Sequence, residues 1–169
     1  EIDRIRKSEL TDSTYKITLM ADEKRTYKRY LEKPDINGKL LIKTVDGNDW
    51  NTEGDYAHVK FRLPYRSTLD QGDLYIFGQI SNWKIDPEFQ MKYNTNKGSY
   101  EAELYLKQGY YNYLYLYVND TAKSADIRHI EGSHFDTENE YLFKVYYSDP
   151  GDFYDRLLLY HVANSRKSF

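Results

Sequence analysis

The segment from Leu106 to Asp120, LKQGYYNYLYLYVND, contains five of the 19 tyrosines of the chain. Its tyrosines Tyr111, Tyr113, Tyr115 and Tyr117 occupy every second position. Alternate side chains of a β-strand point to opposite faces, so these four rings share one face of a predicted strand. The opposite face carries Asn112, Leu114, Leu116 and Val118. A strand that is apolar on both sides needs a covering layer on both sides.

The same alternation of apolar and polar residues recurs along most of the chain. In AHVKFRLP, for example, Val59, Phe61 and Leu63 alternate with His58, Lys60 and Arg62. Gly, Asn, Asp and Pro separate the short segments, and no long amphipathic helix is evident. Short alternating segments with such turn residues between them predict an all-β, antiparallel sandwich.

One polar segment interrupts this pattern and predicts a domain boundary. Residues 46–55, DGNDWNTEGD, are rich in turn formers and lack periodicity. We therefore expect residues 1–50 to form a β-rich segment of a preceding or accessory domain. Residues 51–169 would form the sandwich.

Composition limits the classes of function. The net charge is −3 without a basic block, which argues against a nucleic-acid or phosphate-tracking surface. No apolar run approaches the roughly 20 residues that a membrane-spanning helix needs. The chain has no cysteine, and its four histidines lack the spacing of metal ligands. We predict no metal and no cofactor, although residues 46–55 could offer oxygen ligands to calcium.

Enzyme signatures are also missing from the sequence. There is no phosphate-binding loop, nucleophile elbow, zinc-protease motif or dinucleotide fingerprint. Glu131, Ser133, His134 and Asp136 lie too close together in EGSHFD to be the parts of a spatial triad. The 27 acidic residues offer no distinctive catalytic pair. We therefore expect a protein that is not an enzyme.

The segment FGQISNW, Phe77 to Trp83, is the other distinctive aromatic feature. It joins a strand to a turn that bears a tryptophan. The indole of Trp83 is either a plug in the core or an exposed platform for a sugar ring or a protein partner.

These two motifs together resemble the early-set immunoglobulin-like sandwich of glycogen- and starch-binding modules. Gly78, Ile80 and Trp83 match one motif of that family, and Gly109 with the four alternating tyrosines matches a second. The resemblance implies that the tyrosines face the core and the leucines face outward. Trp83 and Asn139 match two sugar-binding positions. Leu114 stands where the family has a lysine, and its second tryptophan has no counterpart here.

A longer series of blocks covers nearly the whole chain. KPDINGKLLI, LYIFGQISNW, LKQGYYNYLYLY and IEGSHFDTENEYLFKVYY, in this order, resemble the C-terminal part of the Bacteroidetes type IX secretion system plug protein family. That resemblance implies a secreted precursor whose signal is outside this sequence, a periplasmic location and a preceding immunoglobulin-like half. The implied partners are that half or an outer-membrane protein.

Two functional hypotheses follow, beside a hydrolase that only the abundance of carboxylates supports. The first is a non-catalytic module for protein–protein interaction, with Leu114, Leu116 and Val118 as the interface, and the resemblance implies that it is part of a secretion-system plug. The second is an α-glucan-binding module that uses Trp83, assisted by Asn139. The sequence leaves both open.

Overall fold

The structure is a computed structural model that describes residues 2–12, 14–28, 36, 38–43, 54–122, 124–134 and 139–165. Strands dominate these ranges, which confirms the expected all-β fold. The longest helix among the described residues is α1, Arg128–Glu131, and 3-10 turns occur at Ile2–Arg4, Gln79–Ser81 and Pro87–Phe89. No helix in this part of the chain is long and apolar enough to cross a membrane.

The strands follow one another with short connections over most of the chain. They are β1 (Ile5–Leu10), β2 (Tyr15–Leu19), β3 (Leu40–Ile42), β4 (Tyr56–Pro64), β5 (Gly72–Phe77), β6 (Gln90–Asn94), β7 (Ser99–Lys107), β8 (Gly109–Tyr111), β9 (Leu114–Asn119), β10 (Ala125–Asp126), β11 (Glu140–Tyr147) and β12 (Arg156–Asn164).

Eight of these strands form one continuous sheet in the order β1-β2-β4-β7-β6-β5-β9-β10. The pairings are antiparallel except that β2 runs parallel to β4, so the expectation of a purely antiparallel sandwich needs this one correction. A parallel neighbour requires a long crossover, and residues 20–55 provide it. β3 and β8 pair separately, with Leu41 opposite Tyr110.

Strand β6 joins the two halves of the sheet. It pairs with β7 through residues 92–94 and with β5 through residues 90 and 91. The core lies where inward side chains of β4 and β7 meet those of β5 and β9. Its buried members are Phe61, Leu63, Leu74, Ile76, Met91, Tyr100, Leu104, Tyr115 and Ile130.

The core confirms the predicted alternation of β4. Phe61 and Leu63 are buried, whereas Lys60 and Arg62 lie on the opposite face of the strand. Burying an apolar side chain of this size contributes roughly 1.5–3 kcal/mol, so these two positions are central to the stability of the sandwich.

The described contacts divide the chain into two compact units, residues 1–133 and residues 134–169. This division lies far from the boundary predicted near residue 50. Strands from both sides of that predicted boundary, β2 and β4, pair in the same sheet. Whether residues 1–50 fold separately stays a prediction. The second unit is the antiparallel hairpin of β11 and β12, with Phe143 opposite His161.

Candidate functional site

Three of the four alternating tyrosines point toward the core of the first unit. Tyr115 is only 3% exposed and belongs to the core, and Tyr113 and Tyr117 pack against it. Tyr111 is half-buried and donates its hydroxyl to the carbonyl of Lys107 at 2.6 Å. The inward orientation is therefore confirmed for Tyr113, Tyr115 and Tyr117. The single strand predicted for the four tyrosines is wrong, because the chain breaks between β8, which ends at Tyr111, and β9, which begins at Leu114.

The carboxylate of Asp22 accepts hydrogen bonds from two tyrosine hydroxyls at the core. Asp22 accepts hydrogen bonds from Tyr113 at 2.8 Å and from Tyr115 at 2.5 Å, and the guanidinium of Arg4 binds its other oxygen at 2.5 Å. Burial, together with the charge of Asp22, raises the pKa of the Tyr113 hydroxyl well above its ordinary value. Sequence reasoning missed Asp22 and Arg4, because nothing local marks them as partners of residues about 90 positions away.

Leu114, Leu116 and Val118 lie on the face of β9 opposite the tyrosines, as expected. The exposed apolar surface on this face is smaller than the sequence suggested. Leu116 is 5% exposed and is therefore already covered, whereas Leu114 and Val118 are half-buried. Leu114 lies opposite Phe77 and Leu116 lies opposite Tyr75 on β5. The structure thus places the three predicted interface residues together, but only Leu114 and Val118 offer surface to a partner.

Trp83 combines the two roles that the sequence allowed. Its side chain is 50% exposed, and its ring packs edge-to-face on Phe77 with 5.6 Å between ring centroids. Its backbone has φ 57° and donates its N–H to the carbonyl of Gly78 at 2.9 Å. A Cβ at Gly38 would lie 2.6 Å from the indole, so one edge of the ring is covered and part of it is accessible.

Asn139, the second predicted sugar-binding residue, belongs to the hairpin unit. Its backbone N–H donates to the hydroxyl of Ser165 at 2.8 Å, and its carbonyl accepts from the N–H of Ser165 at 2.8 Å. These bonds close the open end of the hairpin. Trp83 lies in the other compact unit, so the pairing of Trp83 with Asn139 stays a prediction.

The hairpin itself presents apolar side chains on both of its faces. Tyr141, Phe143 and Val145 alternate with Leu142 and Lys144 along β11. Large apolar side chains that are more than one-third exposed include Tyr141, Leu142, Phe143, Val145, Tyr146, Tyr147, Leu157, Leu158, Leu159, Tyr160 and Val162. Sequence reasoning predicted both strands, but it did not predict that they would pair only with each other among the described residues.

An open groove of about 480 Å³ lies within the first unit. Apolar side chains of β2, β4 and β7 line this groove, together with charged groups and tyrosine rings. Its lining includes Arg4, Tyr15, Tyr56, Lys107 and Tyr111. The groove shows that the inner faces of β2 and β4 are incompletely covered within this unit.

No metal-binding cluster of histidine and acidic side chains occurs among the described residues. The possible calcium segment, residues 46–55, lies almost wholly outside them, as does Asp136 of EGSHFD. Of the histidines, His58 lies near Glu103 at 3.5 Å and His129 stacks on Tyr117. His58 thus contacts a neighbouring strand of the main sheet, and His129 of α1 packs on a tyrosine of β9.

Comparison with known proteins gives a structural relative without a functional name. No family model and no curated protein matches the chain. A solved structure, described as a hypothetical protein from Parabacteroides merdae ATCC 43184, is similar with a TM-score of 0.85 and 34% sequence identity. The match covers 95% of this chain and 40% of that one, so the chain spans less than half the length of this relative.

Proposed function

We propose that this chain is a non-catalytic β-sandwich module that binds other proteins or protein domains through apolar β surfaces. The hairpin of β11 and β12 is the observation that carries the proposal. A two-stranded ribbon is marginally stable in water, and contiguous apolar patches mark surfaces that meet a partner. Leu114 and Val118 of β9 supply a second, smaller apolar surface.

The partner that fits best is another β-domain of the same polypeptide or an outer-membrane protein. The similar solved chain is more than twice as long as the part that matches, which supports the first of these. The resemblance to the type IX secretion plug family supports a periplasmic location and a role in closing a secretion channel. In either case the hairpin would be covered on both faces.

Site-specific crosslinking in the cell of origin tests the proposal. A photoreactive phenylalanine replaces Tyr160 on the hairpin, and in a matched control it replaces Tyr105, which is 54% exposed on the charged face of the main sheet. We expect crosslinks to one defined partner from position 160 and few from position 105. Equal labelling at both positions, or none at position 160, would contradict the proposal.

A carbohydrate-binding function is the second candidate, because half of the Trp83 indole is accessible. Titration with maltooligosaccharides would then change tryptophan fluorescence in the wild type. The chain has one other tryptophan, Trp50, so Trp50→Phe isolates the signal of Trp83. A response that persists in Trp83→Ala, or no response at millimolar sugar, removes this candidate. Retention of the response in Asn139→Ala would show that Trp83 acts without Asn139.

A further inference from the structure

The outer face of the main sheet collects cationic side chains from separate parts of the sequence. Lys60 and Arg62 alternate on β4 with core residues and therefore face away from the core. Arg6 reaches the same region from β1, at a register shift between Ile5 and Lys7. Lys97 comes from the turn between β6 and β7.

These side chains surround a shallow cavity of about 300 Å³, which we call the basic pocket. Leu19 and Ala21 form part of its wall. The polar residues that line it are Arg6, Thr18, Lys60, Arg62, Lys97 and Glu101.

The basic pocket has a clear excess of positive charge in a chain whose net charge is −3. Glu101 is its single acidic lining residue and lies 3.6 Å from Lys60 and 3.1 Å from Lys97. No carboxylate of the described residues lies within ion-pair distance of Arg6 or Arg62. The Nε of Arg62 is oriented instead by the hydroxyl of Ser99 at 3.3 Å.

The environment of Glu101 agrees with a locally positive potential. Burial alone would raise the pKa of this carboxyl. Hydrogen bonds from Lys97 and Asn94, with the charges of Lys60 and Lys97, outweigh burial and lower the pKa. Glu101 therefore stays ionised and neutralises only part of the cationic charge.

We propose that the basic pocket binds a phosphate group, carried either by a lipid headgroup or by a soluble phosphorylated molecule. Two guanidinium groups offer planar, always charged donors that match the oxygens of phosphate better than ammonium groups do. Lys60 and Lys97 add point charges, and the hydroxyl of Thr18 can donate one neutral hydrogen bond. A concave site lined mostly by one sign of charge also concentrates anions from solution.

The sequence predicted no phosphate-binding surface, and the reason is visible in the topology. The pocket has four cations, which come from β1, from β4 and from the β6–β7 turn, so no block of basic residues marks them. Pairing of β1, β2, β4 and β7 side by side brings them to one face.

Nuclear magnetic resonance of the full chain tests the pocket with inorganic phosphate as the probe. Acetate at equal ionic strength serves as the control anion. We expect saturable amide shifts near Arg6, Thr18 and Arg62 with phosphate and weaker, unsaturable ones with acetate. Loss of one charge-assisted arginine contact should weaken binding roughly tenfold, because such bonds are about twice as strong as neutral ones.

Matched charge-removing variants separate the pocket from general electrostatics. Arg6→Gln changes an exposed side chain, so it should fold normally and weaken phosphate binding. Arg62→Gln should do the same, with its fold checked by the amide spectrum. Lys84→Gln removes an equal charge from an exposed turn elsewhere and should leave binding unchanged. Equal weakening by all three variants, or equal responses to phosphate and acetate, overturns the proposal.

Vesicles distinguish the two sources of phosphate. Sedimentation with phosphatidylglycerol vesicles, abolished by Arg6→Gln and not seen with phosphatidylcholine, identifies a lipid headgroup. A phosphate response without vesicle binding identifies a soluble phosphorylated ligand. Vesicle binding that Arg6→Gln leaves intact overturns the proposal.

Discussion

At the scale of single residues, Asp22 explains how the core accommodates tyrosines where aliphatic side chains are usual. A buried hydroxyl without a partner is costly, and one carboxylate satisfies the hydroxyls of both Tyr113 and Tyr115. The same carboxylate pairs with Arg4, so its negative charge is partly compensated. Tyr113 and Tyr115 therefore depend on Asp22 for the hydrogen bonds of their hydroxyls.

Asp22→Asn should destabilise the protein by about 2 kcal/mol, because hydrogen bonds to a charged acceptor are lost and Arg4 loses its ionic partner. Urea unfolding measures the change in the free energy of unfolding. Asp12→Asn, a change of the same kind at an exposed turn, is the control and should have little effect. Equal stability of the two variants would show that the Asp22 contacts contribute nothing.

The tyrosine hydroxyls also predict how stability depends on alkaline pH. The pKa values of Tyr113 and Tyr115 are raised, by burial first and by neighbouring negative or tyrosine groups second. An unfolded tyrosine loses its proton near pH 10, while the folded ones keep theirs. The unfolded state is therefore favoured as pH rises above about 10, and stability is fully present below that value.

We expect the free energy of unfolding to be flat from pH 8 to 9.5 and to fall steeply above pH 10. Tyr115→Phe should be less stable at pH 8 but should lose stability less steeply above pH 10. Urea titrations at several pH values measure this slope. A slope unchanged in Tyr115→Phe would assign the alkaline transition to other tyrosines.

At the scale of elements, the turn at Trp83 is held by its contact with the loop before β3. Gly38 has φ 70°, and a Cβ there would lie 2.6 Å from the indole. The carbonyl of Gly38 also accepts the N–H of Gln79 at 3.0 Å. The glycine is required here both for its positive φ and for the close approach of the ring.

Gly38→Ala should lower the free energy of unfolding by about 1 kcal/mol or more beyond the effect of Gly98→Ala, because the added Cβ overpacks against Trp83. Gly98 is the matched control, because it also has positive φ but its nearest atom would lie 3.9 Å from the added Cβ. Thermal unfolding gives the stability difference, and tryptophan emission reports displacement of the indole. Equal costs for the two variants would attribute the whole effect to backbone strain.

At the scale of the whole molecule, the described contacts predict where the chain can be divided. All buried members of the core cluster lie between residues 61 and 130. A chain that ends at Ser133 should therefore unfold cooperatively, whereas one that begins at residue 51 should not, because it lacks Asp22, β1 and β2. Calorimetry of the two truncated chains checks this. Stable folding of residues 51–169 would support the boundary expected from the sequence instead.

The strands and their inward faces could be predicted from the sequence, because both depend on local alternation. Val59, Phe61 and Leu63 are of this kind. For the tyrosines, alternation shows only that they share a face, and their inward orientation came from the family resemblance. Three features depend on distant partners and could not be predicted: the parallel pairing of β2 with β4, the role of Asp22 and the basic pocket. Trp83 could be predicted in part. Its turn is evident from the sequence, but the fraction of the indole that is buried depends on the contact with Gly38.

The hydrogen bonds from Tyr113 and Tyr115 to Asp22 constrain the order of events during synthesis. The carboxylate leaves the ribosome more than 90 residues before Tyr115, its partner in the core. Neither β2 nor Asp22 can reach its native place until β4, β7 and β9 have been made. Asp22 and β2 therefore wait for partners that are made much later, and contacts of such long sequence separation form slowly. A binder that holds β1 and β2 away from β4 could therefore delay closure of this sheet.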